Sequence, residues 1–279
     1  MNKNFIRIIP KLDIKNGNLI KGINLEGLRI LGNPYNFAKI YSEHGADEIC
    51  YVDNVATLYG TNNLTSFITK TAKNLRIPLT VGGGIRSISD IENILKAGAD
   101  KVCLNSAIID NLKFLKQVSK IFGVSTITVI VECVEIEKKY FISKSNGRDL
   151  VNIYPLDWCK KVEDNGAGEI FLTSVRKEGL MKGFDIKLIR KISENINIPI
   201  VAHGGAGSFE DILKAIKHSN VSGISIASLF HYNYLNWIKR NFKKKLGNYH
   251  YLKNFKKRSK KKLINDLKNF LKKNNINVR

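Results

Sequence analysis

Short runs of apolar, β-branched residues alternate along this chain with stretches whose apolar positions recur at helical spacing. The runs predict strands over 6–12, 48–52, 78–82, 101–105, 126–132, 169–173, 199–203 and 223–227. Between them, stretches such as 62–75 and 208–217 predict amphipathic helices. Strand and helix repeated about eight times imply a parallel sheet. At 279 residues, a closed (β/α)8 TIM barrel of the α/β class is favoured over an open sheet.

The pattern also repeats within itself. The segment IPLTVGGGIRSISDIENILKAG, from Ile77, aligns with IPIVAHGGAGSFEDILKAIKHS, from Ile198, at an offset of 121 residues. The same offset pairs Gly45-Ala46-Asp47-Glu48 with Gly166-Ala167-Gly168-Glu169, and one residue of slippage later KVCLNSA matches GISIASL. Two half-barrels of four βα units each account for this symmetry, which an open dinucleotide-binding sheet has no reason to show. The repeat breaks at residues 232–262, dense in Lys and aromatic residues, before LINDLKNFLKKNNINVR resumes as an amphipathic helix and tail. The expected organisation is one barrel over 1–279 with a basic insertion at about 232–262.

Composition narrows the picture. No run of 18 apolar residues is present, and the first residues lack an apolar stretch followed by a small-residue cleavage site. Neither a membrane span nor a secretory signal is expected, which places the chain in the cytoplasm. Cys50, Cys103, Cys133 and Cys159 form no CxxC pair. They read as small buried hydrophobes rather than a disulfide framework or zinc site. The net charge of +22 invites a nucleic-acid reading. However, residues 231–279 hold 16 Lys or Arg against the single acid Asp266, so the barrel proper is only mildly basic. Lys far outnumbers Arg there, which weighs against specific phosphate recognition. A contact with a partner protein or an acidic surface suits the segment better than nucleic acid.

Candidate chemistry gathers at the strand ends. Gly82-Gly83-Gly84 and Gly204-Gly205-Ala206-Gly207 each end a strand and precede a helix. Backbone without a Cβ can approach an anion closely there, and helix N-termini favour negative charge. Asn105-Ser106 and Ala227-Ser228 end the next strand in each half. Each half therefore offers one phosphate site, and two such sites across a barrel mouth suit a substrate phosphorylated at both ends. Asp13 closes strand 1 and Glu132 closes strand 5, in equivalent places of the two halves. They should face each other across the mouth as an acid–base pair. Asp53, ending strand 2, is a third polar group there.

The segments RIIPKLDIKNG, IKGINLEGLRILGNP, IPLTVGGGIRS, AGADKVCLNSA, NGAGEIFLTS, GFD and IPIVAHGGAGS, in this order and spacing, resemble the cyclase-subunit family of imidazole glycerol phosphate synthase. The resemblance covers residues 5–231 and the final INVR. It implies a barrel that takes ammonia from a glutaminase partner at its N-terminal face, forming a heterodimer. The ammonia passes through the core to react with a bisphosphorylated ribulosyl-formimino aminoimidazole carboxamide ribonucleotide. The products are imidazole glycerol phosphate and aminoimidazole carboxamide ribotide, in histidine biosynthesis. No cofactor or metal is implied. Carried over, the catalytic pair is Asp13 and Glu132. Lys21 sits on a flexible first loop that folds over the substrate, and Gly179 joins the phosphate contacts. Arg7, Glu48, Lys101 and Glu169 form the charged gate of the ammonia channel, and Asp100 stands at the partner-contact position.

The chain also departs from that family. Its second catalytic aspartate is Glu132, which moves the carboxylate by ~1.5 Å, and misplacement on that scale can cost about 10²-fold in rate. The family's Asp-Arg-Asp-Gly-Thr loop reads Arg176-Lys177-Glu178-Gly179-Leu180, with a hydroxyl and a carboxylate lost. His203 replaces a small residue beside a phosphate site, either as a cationic phosphate contact or as a buried neutral imidazole. An intact channel with an altered reaction centre leaves a second reading. Related barrels in surface-polysaccharide pathways deliver ammonia for amidation of a nucleotide-linked sugar, and GLMKGFD resembles that subgroup.

Overall fold

The computed structural model describes residues 5–54, 65–242 and 263–279, the side chains of 236–242 excepted. Its strands are β1 (Arg7–Lys15), β2 (Asn18–Ile23), β3 (Glu26–Gly32), β4 (Ile49–Asp53), β5 (Leu79–Gly82), β6 (Lys101–Leu104), β7 (Ile127–Ile136), β8 (Lys139–Lys144), β9 (Asp149–Val151), β10 (Glu169–Ser174), β11 (Ile200–His203) and β12 (Gly223–Ile226). The described helices are α1 (Pro34–Glu43), α2 (Thr65–Ala72), α3 (Ile88–Lys96), α4 (Ser106–Asp110), α5 (Leu112–Phe122), α6 (Pro155–Asp164), α7 (Ile186–Ser193), α8 (Phe209–Lys217), α9 (Ser228–Phe242) and α10 (Ile264–Lys273).

Eight strands pair in parallel around a closed circuit, β1–β4–β5–β6–β7–β10–β11–β12 and back to β1. These eight are the strands that the apolar runs predict, and the chain is a (β/α)8 barrel. The pleat sorts their side chains into two cores, because successive residues of a strand face opposite sides. Ile8, Leu12, Ile49, Tyr51, Leu79, Val81, Val102, Val129, Ile170, Leu172, Ile200 and Ile224 face outward and join the helices in the main core. Ile9, Cys50, Cys103, Ile130, Phe171 and Val201 face inward and fill the barrel's middle layer as a separate cluster. The four cysteines are all free and buried.

The half-barrel repeat is visible in local geometry. Ser87 and Ser208, 121 residues apart, each accept from the backbone N–H three residues on, at Asp90 and Asp211. Each of those aspartates reaches back to its serine's own N–H at 2.9 Å. This reciprocal cap starts both helices the same way and fixes the glycine turn before each. The first strand of each half also carries an antiparallel extension at the mouth. β1 pairs with β2, which pairs with β3, while β7 pairs with β8, which pairs with β9.

The basic segment begins differently from the expectation. Residues 232–242 are not an excursion from the barrel but the continuation of α9. Tyr234 and Leu235 are buried, and Tyr234 packs edge-on against Tyr41 of α1. Aromatic residues on a helix face read as an insertion only because they interrupt the repeat. Residues 243–262 lie outside the described residues. At the chain's end, Lys268 of α10 pairs with Asp47 at 2.7 Å, and Val278 bridges to Ile6.

Candidate active site

The N-terminal end of the barrel is closed by charge. Arg7 pairs with Glu48 at 3.1 Å and with Glu169, while Lys101 pairs with the same two carboxylates at 3.1 and 3.4 Å. Cations and anions thus alternate around a ring of four. Each projects inward because each precedes an inward residue of its strand by two positions, as Arg7 precedes Ile9 and Lys101 precedes Cys103. Thr80 donates to Glu48 at 2.6 Å, and the Arg7 guanidinium donates to Ser222 at 3.3 Å. Burial works against the charge on Arg7, but Glu169 and Glu48 outweigh it and raise its pKa. The four predicted gate residues are therefore brought together. Asp100, on the same end, accepts from the Leu79 N–H at 2.8 Å and so helps fix the start of β5.

Six residues along β1 separate Arg7 from Asp13, about 20 Å of strand at ~3.3 Å per residue. Among the described residues, two cavities open at that far end. A cavity of about 290 Å³ is lined by Asp53, Gly84, Asn105, Ser106 and Glu132, with Arg86 at its wall. A far smaller one, about 10 Å³, is lined by Gly179, Gly205, Ala227 and Ser228, with His203 and Glu178. The two lie at β5–β6 and at β11–β12, on opposite sides of the circuit. Their glycine turns match: Gly83 and Gly84 have φ of 104° and 69°, and Gly204 and Gly205 have 97° and 112°. A Cβ at Gly205 would stand 2.1 Å from the Gly183 carbonyl, so this turn admits glycine alone.

Buried polar atoms without a partner mark the same places. Asn54 Nδ2 and Asn105 Oδ1 are unpaired at the larger cavity. Glu178 Oε2, His203 Nε2, Ser225 Oγ and Ser228 Oγ are unpaired around the smaller one. A buried polar atom left unpaired costs about 1–3 kcal/mol. Such a concentration at two glycine cradles is the signature of sites shaped for a polar ligand.

Asp13 and Glu132 occupy opposite strands, β1 and β7, and their environments push them apart. Asp13 is buried beside Lys11, with which it forms an ion pair. Burial alone would raise its pKa, but Lys11 and Lys21 outweigh it and hold the carboxyl below its ordinary value. For Glu132, burial dominates and lifts the pKa to about 7, although the Gly147 N–H, Lys11 and Asn105 pull the other way. The Gly147 N–H donates to Glu132 Oε2 at 2.9 Å, tying the carboxyl to the turn between β8 and β9. One carboxylate fixed in its ionised form and another poised near neutrality is the division that acid–base chemistry needs.

The hairpin of β2 and β3 lies folded over the mouth. Lys21 reaches Glu178 at 2.5 Å, and both are almost fully buried. The Asn24 N–H donates to the Glu178 carbonyl at 2.9 Å, and Asn146 donates to the Leu25 carbonyl at 3.1 Å. Leu25 packs with Val134 and Val175, which closes the hairpin against β7 and the loop after β10. Asp13 and Lys21 therefore join a buried charge cluster with Lys11 and Glu178 and line neither cavity.

Lys11, Arg86 and Glu178 escaped the sequence reading. Lys11 stands at an inward position of β1, two before Asp13, and a lysine inside an apolar strand was a readable signal. Arg86 follows the first glycine triplet. Glu178 is the carboxylate that the Arg176-Lys177-Glu178 loop keeps, although that loop reads as having lost one.

A twofold-repeated barrel with a ring of charges at one end and paired anion cradles at the other limits the families to which the chain can belong. Residues 7–236 match the family model described as histidine biosynthesis protein. The chain is similar to the imidazole glycerol phosphate synthase subunit HisF of Legionella pneumophila, 44% identical over 207 residues that cover 74% of this chain and 98% of the relative. It is likewise 44% identical over 228 residues to the subunit of the same name from Lactococcus lactis subsp. cremoris, covering 81% and 88%. The subunit of that name from Prochlorococcus marinus is 41% identical over 232 residues. With the family model spanning most of the barrel and relatives at this identity along nearly their whole length, the chain belongs to the histidine biosynthesis protein family.

Proposed function

We propose that the chain is the cyclase subunit of an imidazole glycerol phosphate synthase. It uses ammonia from a glutaminase partner to convert the phosphoribulosyl-formimino aminoimidazole carboxamide ribonucleotide to imidazole glycerol phosphate and aminoimidazole carboxamide ribotide. The observation that carries this reading is the pair of anion cradles on opposite sides of the mouth, with Asp13 and Glu132 on the strands between them. A substrate with a phosphate at each end spans them and lays its reacting centre between the two carboxylates. Asp13, ionised, suits the base or charge-stabilising role. Glu132 can lend or take a proton near neutrality.

The interior supports an ammonia route from the opposite face. Above the charged ring, the inward side chains are Ile9, Cys50, Cys103, Ile130, Phe171 and Val201, with no ionised group among them. Neutral ammonia crosses such a section at little cost, whereas ammonium would lose its hydration. The partner is therefore expected on the N-terminal face, around the ring of Arg7, Glu48, Lys101 and Glu169 and beside Asp100. The names of the relatives favour this reading over delivery of ammonia to a nucleotide-linked sugar.

The test supplies the chain with an ammonium salt at alkaline pH, replacing the glutaminase, and follows consumption of the ribulosyl-formimino substrate by absorbance. Turnover that vanishes in Asp13→Asn is expected. No turnover, with Glu132→Asp restoring some, would mean that the reaction centre serves another acceptor.

A further inference from the structure

The two cradles differ in their cations. The larger cavity is lined by Arg86 together with Asp53, Asp110 and Glu132. The smaller is lined by no lysine or arginine among the described residues. Its nearest lysine, Lys21, is engaged by Glu178 at 2.5 Å, and Lys11 is engaged by Asp13. Glu178, from the loop after β10, lines this cradle and is paired with Lys21 of β2; behind it Lys11 and Asp13 of β1 act on His203 and pair with each other. These four charges sum to zero. A phosphate arriving there meets a carboxylate, Glu178, and no uncompensated positive group.

His203 is the group able to correct this. It ends β11 on the inward side, is 2% exposed, and lines the small cavity. Its Nδ1 lies 3.3 Å from the Ser225 carbonyl. Its Nε2 lies 3.5 Å from Glu178 Oε1, within ion-pair reach but without hydrogen-bond geometry. Glu178 Oε2 is buried and lacks a donor. With Nδ1 directed at Ser225, protonation of Nε2 gives one N–H that can be donated to a phosphate, and the ring's positive charge offsets the Glu178 carboxylate beside it.

We propose that the second cradle binds its phosphate together with one proton, which His203 takes up, so that His203 is an anion contact whose charge appears only on ligation. This rests on the reading of the two cradles as phosphate sites. Without a ligand, burial holds the His203 pKa below its ordinary value of 6.5, against the pull of Glu178. A bound anion adds a second negative neighbour, and an opposite charge within ~4–6 Å favours the charged form. Affinity is therefore highest below the pKa of His203 in the free protein, falls about tenfold per pH unit between that pKa and the higher one in the complex, and levels off above the latter. His203 and the Glu178 carboxylate of the Arg176-Lys177-Glu178 loop then form one device.

The experiment titrates the full chain with sulfate, which carries no proton of its own at neutral pH, and reads two signals by NMR. The chain has five histidines, so the His203 imidazole is assigned by its loss in His203→Gln. Backbone amides of Gly84 and Ser106 report the first cradle, and those of Gly205 and Ser228 the second. The expected result is a rise in the His203 midpoint of at least one pH unit on saturation of the second cradle. His203→Gln should abolish the pH dependence of sulfate binding there and leave the first cradle unchanged. Saturation of Gly205 and Ser228 with His203 still neutral, or pH dependence that survives in His203→Gln, would overturn the proposal while leaving the two-cradle reading intact. A response at Gly84 and Ser106 alone would overturn both.

Discussion

Glu132→Gln should stabilise this protein at neutral and alkaline pH and leave its stability unchanged in acid. The Glu132 carboxyl is buried, and its pKa stands near 7 against an ordinary 4.5. A shifted pKa is a statement about folding, because the folded chain then holds a proton that the unfolded chain releases. For a carboxyl raised on folding, stability is full below the unfolded pKa and is lost as pH climbs through the folded one. The window here runs from about 4.5 to about 7. At about 1.4 kcal/mol per unit, the full cost is about 3 kcal/mol by pH 8, with about 1 kcal/mol already present at pH 5. Glutamine keeps an oxygen to accept the Gly147 N–H at 2.9 Å and never ionises. Urea unfolding of both proteins at a series of pH values measures the difference directly. In thermal melts a gain of about 3 kcal/mol corresponds to roughly 6–12 °C. A stability difference that stays flat between pH 5 and pH 8 would refute the argument, since the cost could not then come from ionising Glu132. The same substitution should remove ammonia-driven turnover, which would identify that cost as one imposed by the reaction.

Three further outcomes follow from the geometry. Lys101→Met leaves Glu48 and Glu169 with Arg7 alone, and breaking a buried pair costs about 3–5 kcal/mol; calorimetry should show a loss toward the lower end, because Lys101 is 20% exposed, and adding Glu48→Gln should restore part of it. Lys21→Met strands the Glu178 carboxylate at 1% exposure and frees the hairpin, so the KM for the bisphosphorylated substrate should rise about tenfold or more in steady-state assays. Gly205→Ala forces a side chain into a φ of 112° with its Cβ 2.1 Å from the Gly183 carbonyl; it should lower the melting temperature through about 1–3 kcal/mol of strain and weaken sulfate at the second cradle while sparing the first.

The barrel was legible because two periodicities are written into the chain. Alternation within strands separates Ile8 and Leu12, which meet helices, from Arg7, Ile9 and Asp13, which meet the interior. The 121-residue repeat places both glycine cradles, and the matched Ser87 and Ser208 caps show that it holds down to single hydrogen bonds. What it conceals is whatever breaks it. The hairpin after β1 and the strands after β7 are unlike in sequence, so the contacts that tie Lys21 to Glu178 and Gly147 to Glu132 could not be read from either half. The start of the basic segment was misplaced for the same reason. Residue by residue, Asp13 and Glu132 were found as strand-end carboxylates, whereas Lys11 and Glu178 went unnoticed. Their significance lies in which charge they neutralise, and that depends on neighbours up to 157 residues away.

Charge neutralisation links the two ends of the molecule. At the N-terminal face, two cations and two carboxylates close into a ring. At the mouth, Lys11 with Asp13 and Lys21 with Glu178 cancel in the same way. Between them is an apolar layer, where an unpaired ion would cost several kcal/mol. The four charges of each cluster cancel, and the middle layer penalises an ion, which suits the neutral base in the ammonia route proposed above. At the mouth, burial raises the Glu132 pKa to about 7 and lowers that of His203. On the proposed reading, a carboxyl that can still be protonated at neutral pH and an imidazole that starts neutral exchange protons with the bound substrate beneath the hairpin. The closed hairpin over a charge-balanced mouth is what makes that economy possible, since water admitted to the site would return both groups toward their ordinary values.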